Sequence, residues 1–234
     1  MPVAENIKRV QRAIFAAASR AGRSPDTISL IAVSKTFPPE LIREAYNAGL
    51  RQFGESRVQE FAVKIAALQD LQDTQWHMIG HLQTNKAGKA AELFAAVDSV
   101  DSARLAEKLN AEAGKLAKKL EVLIEINSGG ESGKSGVSAD SSELGNILLS
   151  APKWQNLKFM GLMTVPPFSE SAEQTRPYFR KLRELRNHIA ARQLPGIAME
   201  VLSMGMSHDF EIAIEEGATQ VRVGSSIFGT RPGP

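Results

Sequence analysis

The chain contains no cysteine, which excludes disulfides, thiolate catalysis and cysteine-based zinc sites. No apolar run approaches the roughly 20 residues of a membrane-spanning helix. Neither sign of charge is in excess: 28 basic and 26 acidic residues leave a formal net charge of +2, with no footprint for nucleic acid or an anionic membrane. Tyrosine is nearly absent, with Tyr46 and Tyr178 alone. No linker, low-complexity tract or change of composition divides the 234 residues, so a single domain over residues 1–234 is expected. The opening MPVAENIKRVQRAIFAAASRAG is amphipathic and too polar for a signal peptide. A soluble, cytoplasmic protein follows as the expectation, and 43% hydrophobic residues give it a sizeable core.

What is present is a regular alternation. Ile7, Val10, Ala13, Ile14 and Ala17 recur at helical spacing and predict an N-terminal helix. After it, short β-branched runs predict strands at 27–35, 51–56, 76–80, 95–100, 121–127, 157–165, 198–205 and 220–226. Helix-like stretches lie between them, several stopping at glycine, as at Gly49 and Gly217. Strict alternation argues for parallel strands with crossover helices. Eight units in about 200 residues suit a closed (β/α)8 barrel of the α/β class, with one extra N-terminal helix. An open dinucleotide-binding sheet needs a Gly-rich first turn, and the first strand here ends SKTFPP.

A barrel puts its chemistry at the carboxyl ends of the strands. Those ends bring Lys35, Glu55, Ser56, His81, Asp98, Asn127, Thr164, residues 203–207, Gly224 and Ser225 to one face. The seventh and eighth strands run into LSMGMSHDF and VRVGSSIFG, two Gly- and Ser-rich ends suited to surrounding a phosphate with backbone N–H groups and hydroxyls. In a closed barrel the eighth strand neighbours the first, so Lys35 stands beside that phosphate site. On its own it reads as a solvated strand end; beside a phosphate it reads as a counter-charge or as an amine that forms a Schiff base with a phosphorylated carbonyl compound. An apolar strand and Arg222 nearby would lower its pKa for that work.

Three other features have plainer readings. SGGESGKS, residues 128–135, lacks the first glycine of a nucleotide-phosphate loop, and its helix begins only near Ala139, so a loop over the barrel mouth is expected instead. His77 and His81 stand four apart, but a strand and Gly80 intervene, and no metal site is expected. The basic run RPYFRKLRELRN suits the solvated face of a barrel helix.

The stretches IAVSKTFPPELI, FGESRVQE, WHMIGHLQTNK, LKFMGLMTV and LSMGMSHDFEIAIEEGATQVRVGSSIFG, in this order, resemble the pyridoxal phosphate homeostasis protein family over essentially the whole chain. The resemblance implies a barrel like the N-terminal domain of alanine racemase. It implies pyridoxal 5′-phosphate (PLP) bound as a Schiff base on Lys35. It also implies phosphate contacts from Ser203, Met204, Gly205 and Ser207 and from Gly224 and Ser225, with Arg222 facing the pyridine nitrogen. Many members have Asn where this chain has Ser56, a shorter donor and acceptor for a contact to the cofactor.

PLP is a strong electron sink when its ring nitrogen is protonated, usually by a carboxylate; an arginine partner leaves it unprotonated. Racemases of this barrel type carry a second domain with a catalytic tyrosine, whereas the sequence ends at Pro234 soon after the eighth strand, and both tyrosines fall in helix-like segments. The expectation is a non-enzymatic protein that buffers or delivers PLP, with no catalytic residues, PLP-requiring apo-enzymes as partners and a monomeric state. A PLP-dependent racemase-like enzyme is the alternative. A sugar-phosphate aldolase using Lys35 with Glu55 or Asp98 is a third reading.

Overall fold

The computed structural model describes residues 2–131 and 133–230. Eight parallel strands close into a barrel in chain order: β1 (Ser29–Val33), β2 (Gln52–Glu55), β3 (Gln75–Met78), β4 (Ala96–Val100), β5 (Leu120–Glu125), β6 (Leu157–Met163), β7 (Ile197–Ser203) and β8 (Gln220–Val223). The closing pair is β1 with β8, in register from Ser29 with Gln220 to Ala32 with Val223. Strands covered by lumen side chains on one face and helices on the other bury successive residues, which is why Ile31, Ala32 and Val33 are all buried. The expected (β/α)8 barrel with an additional N-terminal helix is the observed fold.

The outer layer consists of α1 (Val3–Arg20), α2 (Pro39–Asn47), α3 (Val58–Lys64), α4 (Ala87–Leu93), α5 (Ala103–Lys115), α6 (Ser142–Ser150), α7 (Arg176–Ala191), α8 (Phe210–Glu215) and α9 (Ser225–Phe228). Ser102 and Ser141 cap α5 and α6, each hydroxyl accepting the N–H three residues on. Gly49 and Gly217 follow α2 and α8 at φ +100°, a left-handed conformation that favours glycine. The first helix buries Val3, Ile7, Val10, Ile14, Ala17 and Ala18, and its Asn6 side-chain amide donates to the Ile227 carbonyl at 2.8 Å. That contact braces α9, which the sequence did not announce.

Strand ends differ from expectation where apolar residues run on past the ladder. The segment expected as strand over 220–226 leaves it at Val223, because Gly224 takes φ −113°, ψ −79° and starts α9. The first and seventh strands stop at Val33 and Ser203, leaving Lys35 and residues 204–209 in turns. Asp98, expected at a strand end, lies inside β4, which continues to Val100. Helix α6 begins at Ser142, well beyond the 128–135 segment. That segment, of which Ser132 lies outside the described residues, returns to the end of β5 through the Ile126–Val137 bridge. Among the described residues no helix is long and apolar enough to cross a membrane.

Candidate functional site

At the carboxyl ends of the strands lies a cavity of about 280 Å³. Lys35, Ser207, His208, Arg222, Gly224 and Ser225 line its polar side, and Val33, Ile79, Val165 and Met206 its apolar side. A small apolar cavity with a few convergent polar groups is the usual form of a small-molecule site.

Lys35 is held on a short turn with anchors on both sides. Before it, the Ser34 hydroxyl donates to Glu55 Oε1 at 2.7 Å. After it, the Thr36 N–H donates to Glu60 Oε1 at 2.7 Å. Lys64 joins the two anchors: its Nζ lies 2.8 Å from Glu55 Oε1, 3.1 Å from Glu60 Oε1 and 3.1 Å from the Ser34 carbonyl. Thr36 has φ +68°, a conformation that costs a β-branched residue about 1–3 kcal/mol and persists only where the surroundings enforce it. Phe37 then packs on Phe228 of α9 with ring centroids 5.0 Å apart, tying the lysine turn to the opposite wall. Burial pushes the Glu55 carboxyl up, against the pull of Lys64 and Ser34. Burial also works against Glu60, but the Thr36 amide and Lys64 hold its carboxyl below the usual range.

Across the cavity stand the turns after β7 and β8. The N–H groups of Gly224 and Ser226 converge on one oxygen, the Ser207 hydroxyl, at 3.1 and 3.3 Å. Two backbone donors aimed at one acceptor are the local geometry that receives oxyanions. The turn that presents Ser207 is preformed: Asp209 accepts the Met206 N–H at 2.7 Å. Gly205 sits at φ +91°, where an added Cβ would meet the Ala213 Cβ at 2.5 Å and the Phe210 Cα at 2.9 Å.

Arg222 reaches the cavity from inside the barrel and is 3% exposed. One guanidinium nitrogen donates to the Ser203 hydroxyl at 2.7 Å and another to the Thr164 carbonyl at 2.8 Å. Behind Ser203 the polar chain continues. Gln220 donates to Ser203 Oγ at 2.8 Å and to Asp98 Oδ2 at 2.7 Å, and the other Asp98 oxygen lies 3.2 Å from His77 Nδ1. Burial lowers the guanidinium pKa, and Asp98, Glu125 and Asp209 act in the opposite sense. A buried cation in apolar surroundings is tolerable only with such compensation, and arginine keeps its charge under it.

Glu125 stands at the end of β5. Burial and the neighbouring Asp101 push its carboxyl up to about 7, against Arg222 and His81, and its Oε2 is buried without a hydrogen-bond partner. A carboxyl raised on folding stabilises the protein fully below its ordinary value and loses that contribution as pH rises through about 7. Glu125→Gln keeps the shape and removes the titration. The stability of the wild type is therefore expected to fall relative to the variant by on the order of 3 kcal/mol between pH 5 and pH 8. Chemical denaturation of both proteins across that range checks this; parallel curves would contradict it.

Of the site residues expected from sequence, Lys35, Ser207, Arg222, Gly224 and Ser225 line one cavity. Ser203 and Met204 are fully buried and lie behind it. The Ser203 hydroxyl serves Arg222 and Gln220, and the Met204 N–H is spent on the Gln220 carbonyl. Gly205 shapes the turn, its carbonyl accepting the Arg222 N–H. Ser56 opens instead on a neighbouring cavity, with Arg57 and His81. His77 and His81 bond different carboxylates, Asp98 and Asp101. Sequence reasoning missed His208, although it directly follows Ser207. It also missed the apolar wall of Val33, Ile79 and Val165, since apolar strand ends look alike whichever way they face.

Comparison with known proteins places the chain. The family model for the alanine racemase N-terminal domain matches residues 4–232. The pyridoxal phosphate homeostasis protein of Aquifex aeolicus is 48% identical over 232 residues, covering 99% of both chains. That of Pseudomonas aeruginosa is 42% identical over 230 residues, 98% of this chain and 96% of its own. PipY of Synechococcus elongatus, solved with PLP bound, superimposes with a TM-score of 0.82 at 38% identity, covering 97% of this chain and 100% of that one. An alanine racemase of Clostridium difficile shares the fold, with a TM-score of 0.70 at 16% identity over 98% of this chain and 58% of its own. The chain belongs to the pyridoxal phosphate homeostasis protein family, built on the barrel of the alanine racemase N-terminal domain.

Proposed function

We propose that this protein binds PLP on Lys35 and serves intracellular PLP homeostasis, as a single barrel domain over residues 1–234 that buffers the cofactor or delivers it to PLP-requiring apo-enzymes without turnover. One observation carries the reading: a single small cavity brings together a lysine on an anchored turn, an oxyanion cradle and a buried arginine. When bound, PLP supplies an aldehyde and an electron-withdrawing ring. Lys35 Nζ is the group that would hold the aldehyde, whose oxygen would leave as water. Ser207, Gly224 and Ser225 would hold the phosphate, and Val33, Ile79 and Val165 would pack the ring and exclude water. Arg222 would face the ring nitrogen and, staying a cation, would leave it unprotonated. PLP of PipY supports the fit, as that relative keeps the same fold over its full length.

The carboxylates and tyrosines that the sequence offers for turnover support this reading by their placement. Glu55 is bonded to Lys64 and Ser34, and Asp98 to Gln220 and His77; neither lines the Lys35 cavity, which weighs against an aldolase that would use them. The Tyr46 hydroxyl donates to Asp73, and Tyr178 lies on α7, so neither supplies a racemase's second base from this chain. The Aquifex aeolicus and Pseudomonas aeruginosa relatives are named homeostasis proteins. A monomer in the cytoplasm completes the proposal. Incubation of the PLP-loaded protein with L-amino acids in deuterated water tests it: no α-proton exchange at enzyme-like rates is expected. Sustained exchange would establish the racemase-like alternative.

A further inference from the structure

The stretches FGESRVQE (53–60) and WHMIGHLQTNK (76–86) carry much of the family likeness, yet give only Ile79 to the Lys35 cavity. They wall a second cavity on the same face, again of about 280 Å³, and every residue lining it comes from these two stretches. Its floor is Val58, Met78 and Leu82, all buried. Its rim carries Ser56, Arg57, Gln59, His81, Gln83 and Lys86, with two cations and no carboxylate among them. The two cavities are neighbours, since Met78 faces one and the next residue, Ile79, the other.

Two observations point to an anionic occupant. No carboxylate lies within salt-bridge distance of Arg57 or Lys86 among the described residues. Glu60, the acid that Arg57 influences, is committed to the Thr36 N–H and to Lys64. His81 is oriented by Asp101, with Nδ1 3.0 Å from Asp101 Oδ2. The walls are also rigidly joined: a Cβ on Gly80 would sit 2.4 Å from the Ser56 carbonyl oxygen, so only glycine lets the two stretches close on each other.

We propose that this cavity is a second ligand site, which takes a small metabolite by an oxyanion, a carboxylate or a phosphate group. Arg57 offers a planar fork suited to two oxygens, Lys86 a mobile charge, and Ser56, Gln59 and Gln83 neutral hydrogen bonds around them. The site does not depend on what Lys35 holds.

Titration calorimetry of the full chain at low salt, with inorganic phosphate in one arm and succinate in the other, tests the proposal. At least one probe is expected to bind the wild type, to bind Lys35→Ala equally well, and to lose at least tenfold in affinity in the double variant Arg57→Met/Lys86→Met. The arm that responds distinguishes phosphate from carboxylate. Both substitutions are at the cavity rim, and an unchanged melting temperature confirms that the variant is folded; Arg57→Lys with Lys86→Arg, which keeps both charges, should restore most of the binding. Absence of binding by either probe, or equal binding by the double variant, overturns the proposal. So does loss of binding in Lys35→Ala, which would assign the anion to the first cavity.

Discussion

Lys35→Ala is expected to abolish the absorption band near the visible edge that PLP produces on the wild type, and to end its fixation by borohydride. The loss should be complete, because the substitution removes the only amine lining the cavity. The fold should survive: Lys35 is half-buried on a turn whose anchors are its neighbours, Ser34 and Thr36, and not its own side chain alone. Weak, reversible association should persist. Hydrogen bonds to a charged group contribute about 1.5–3 kcal/mol each, and Ser207, Gly224, Ser225 and Arg222 remain in place to hold a phosphate and a ring. Absorbance titration and equilibrium dialysis of the variant separate the two effects. A variant that keeps the band would show that another amine holds the cofactor.

Lys64→Met is expected to destabilise the protein by about 3–5 kcal/mol at pH 7–8, the range for removing one partner of a buried ion pair. Lys64 and Glu55 are 8% and 0% exposed, and Glu55 Oε2 already lacks a hydrogen-bond partner. Without the ammonium, Glu55 would be a buried, uncompensated carboxylate, and the Ser34 carbonyl and Glu60 would each lose a donor. Burial already raises the Glu55 pKa and Lys64 opposes the rise, so the variant's carboxyl titrates higher still. A carboxyl with a raised folded pKa costs nothing below its unfolded value and progressively more as pH climbs through the folded one. The deficit should therefore shrink toward pH 4–5 and grow toward pH 8. The strained Thr36 would lose a brace at the same time, so PLP capture by Lys35 should slow in any variant that still folds. Chemical denaturation at several pH values reads the first effect and stopped-flow absorbance the second. A loss below about 1 kcal/mol with no pH dependence would contradict the role assigned to Lys64.

The barrel was legible because periodicity is a local property. Runs such as SLIAV and LEVLIE announce strands wherever they occur, and eight of them between helices leave few architectures. Strand ends were less legible. VRVGSS looks extended through its serines until Gly224 turns the chain into α9. Lys35, Arg222 and the Gly-Ser turns could be found because each follows or occupies a strand whose place in the barrel is fixed by order alone. The supporting shell could not. Lys64 reads as a solvated helix residue, and only the packing of α3 on β2 turns it toward Glu55. Gln220 meets Asp98 across 122 positions of sequence, which no local pattern encodes. The family resemblance offers Ser56 as a contact to the cofactor, but successive residues there face different sides, and it opens on the second cavity.

Borohydride reduction of the wild type in the presence of PLP, followed by peptide mapping by mass spectrometry, tests the central claim most directly. A single phosphopyridoxyl adduct on Lys35 is the predicted result; an unlabelled protein, or a label confined to any other lysine, would contradict it.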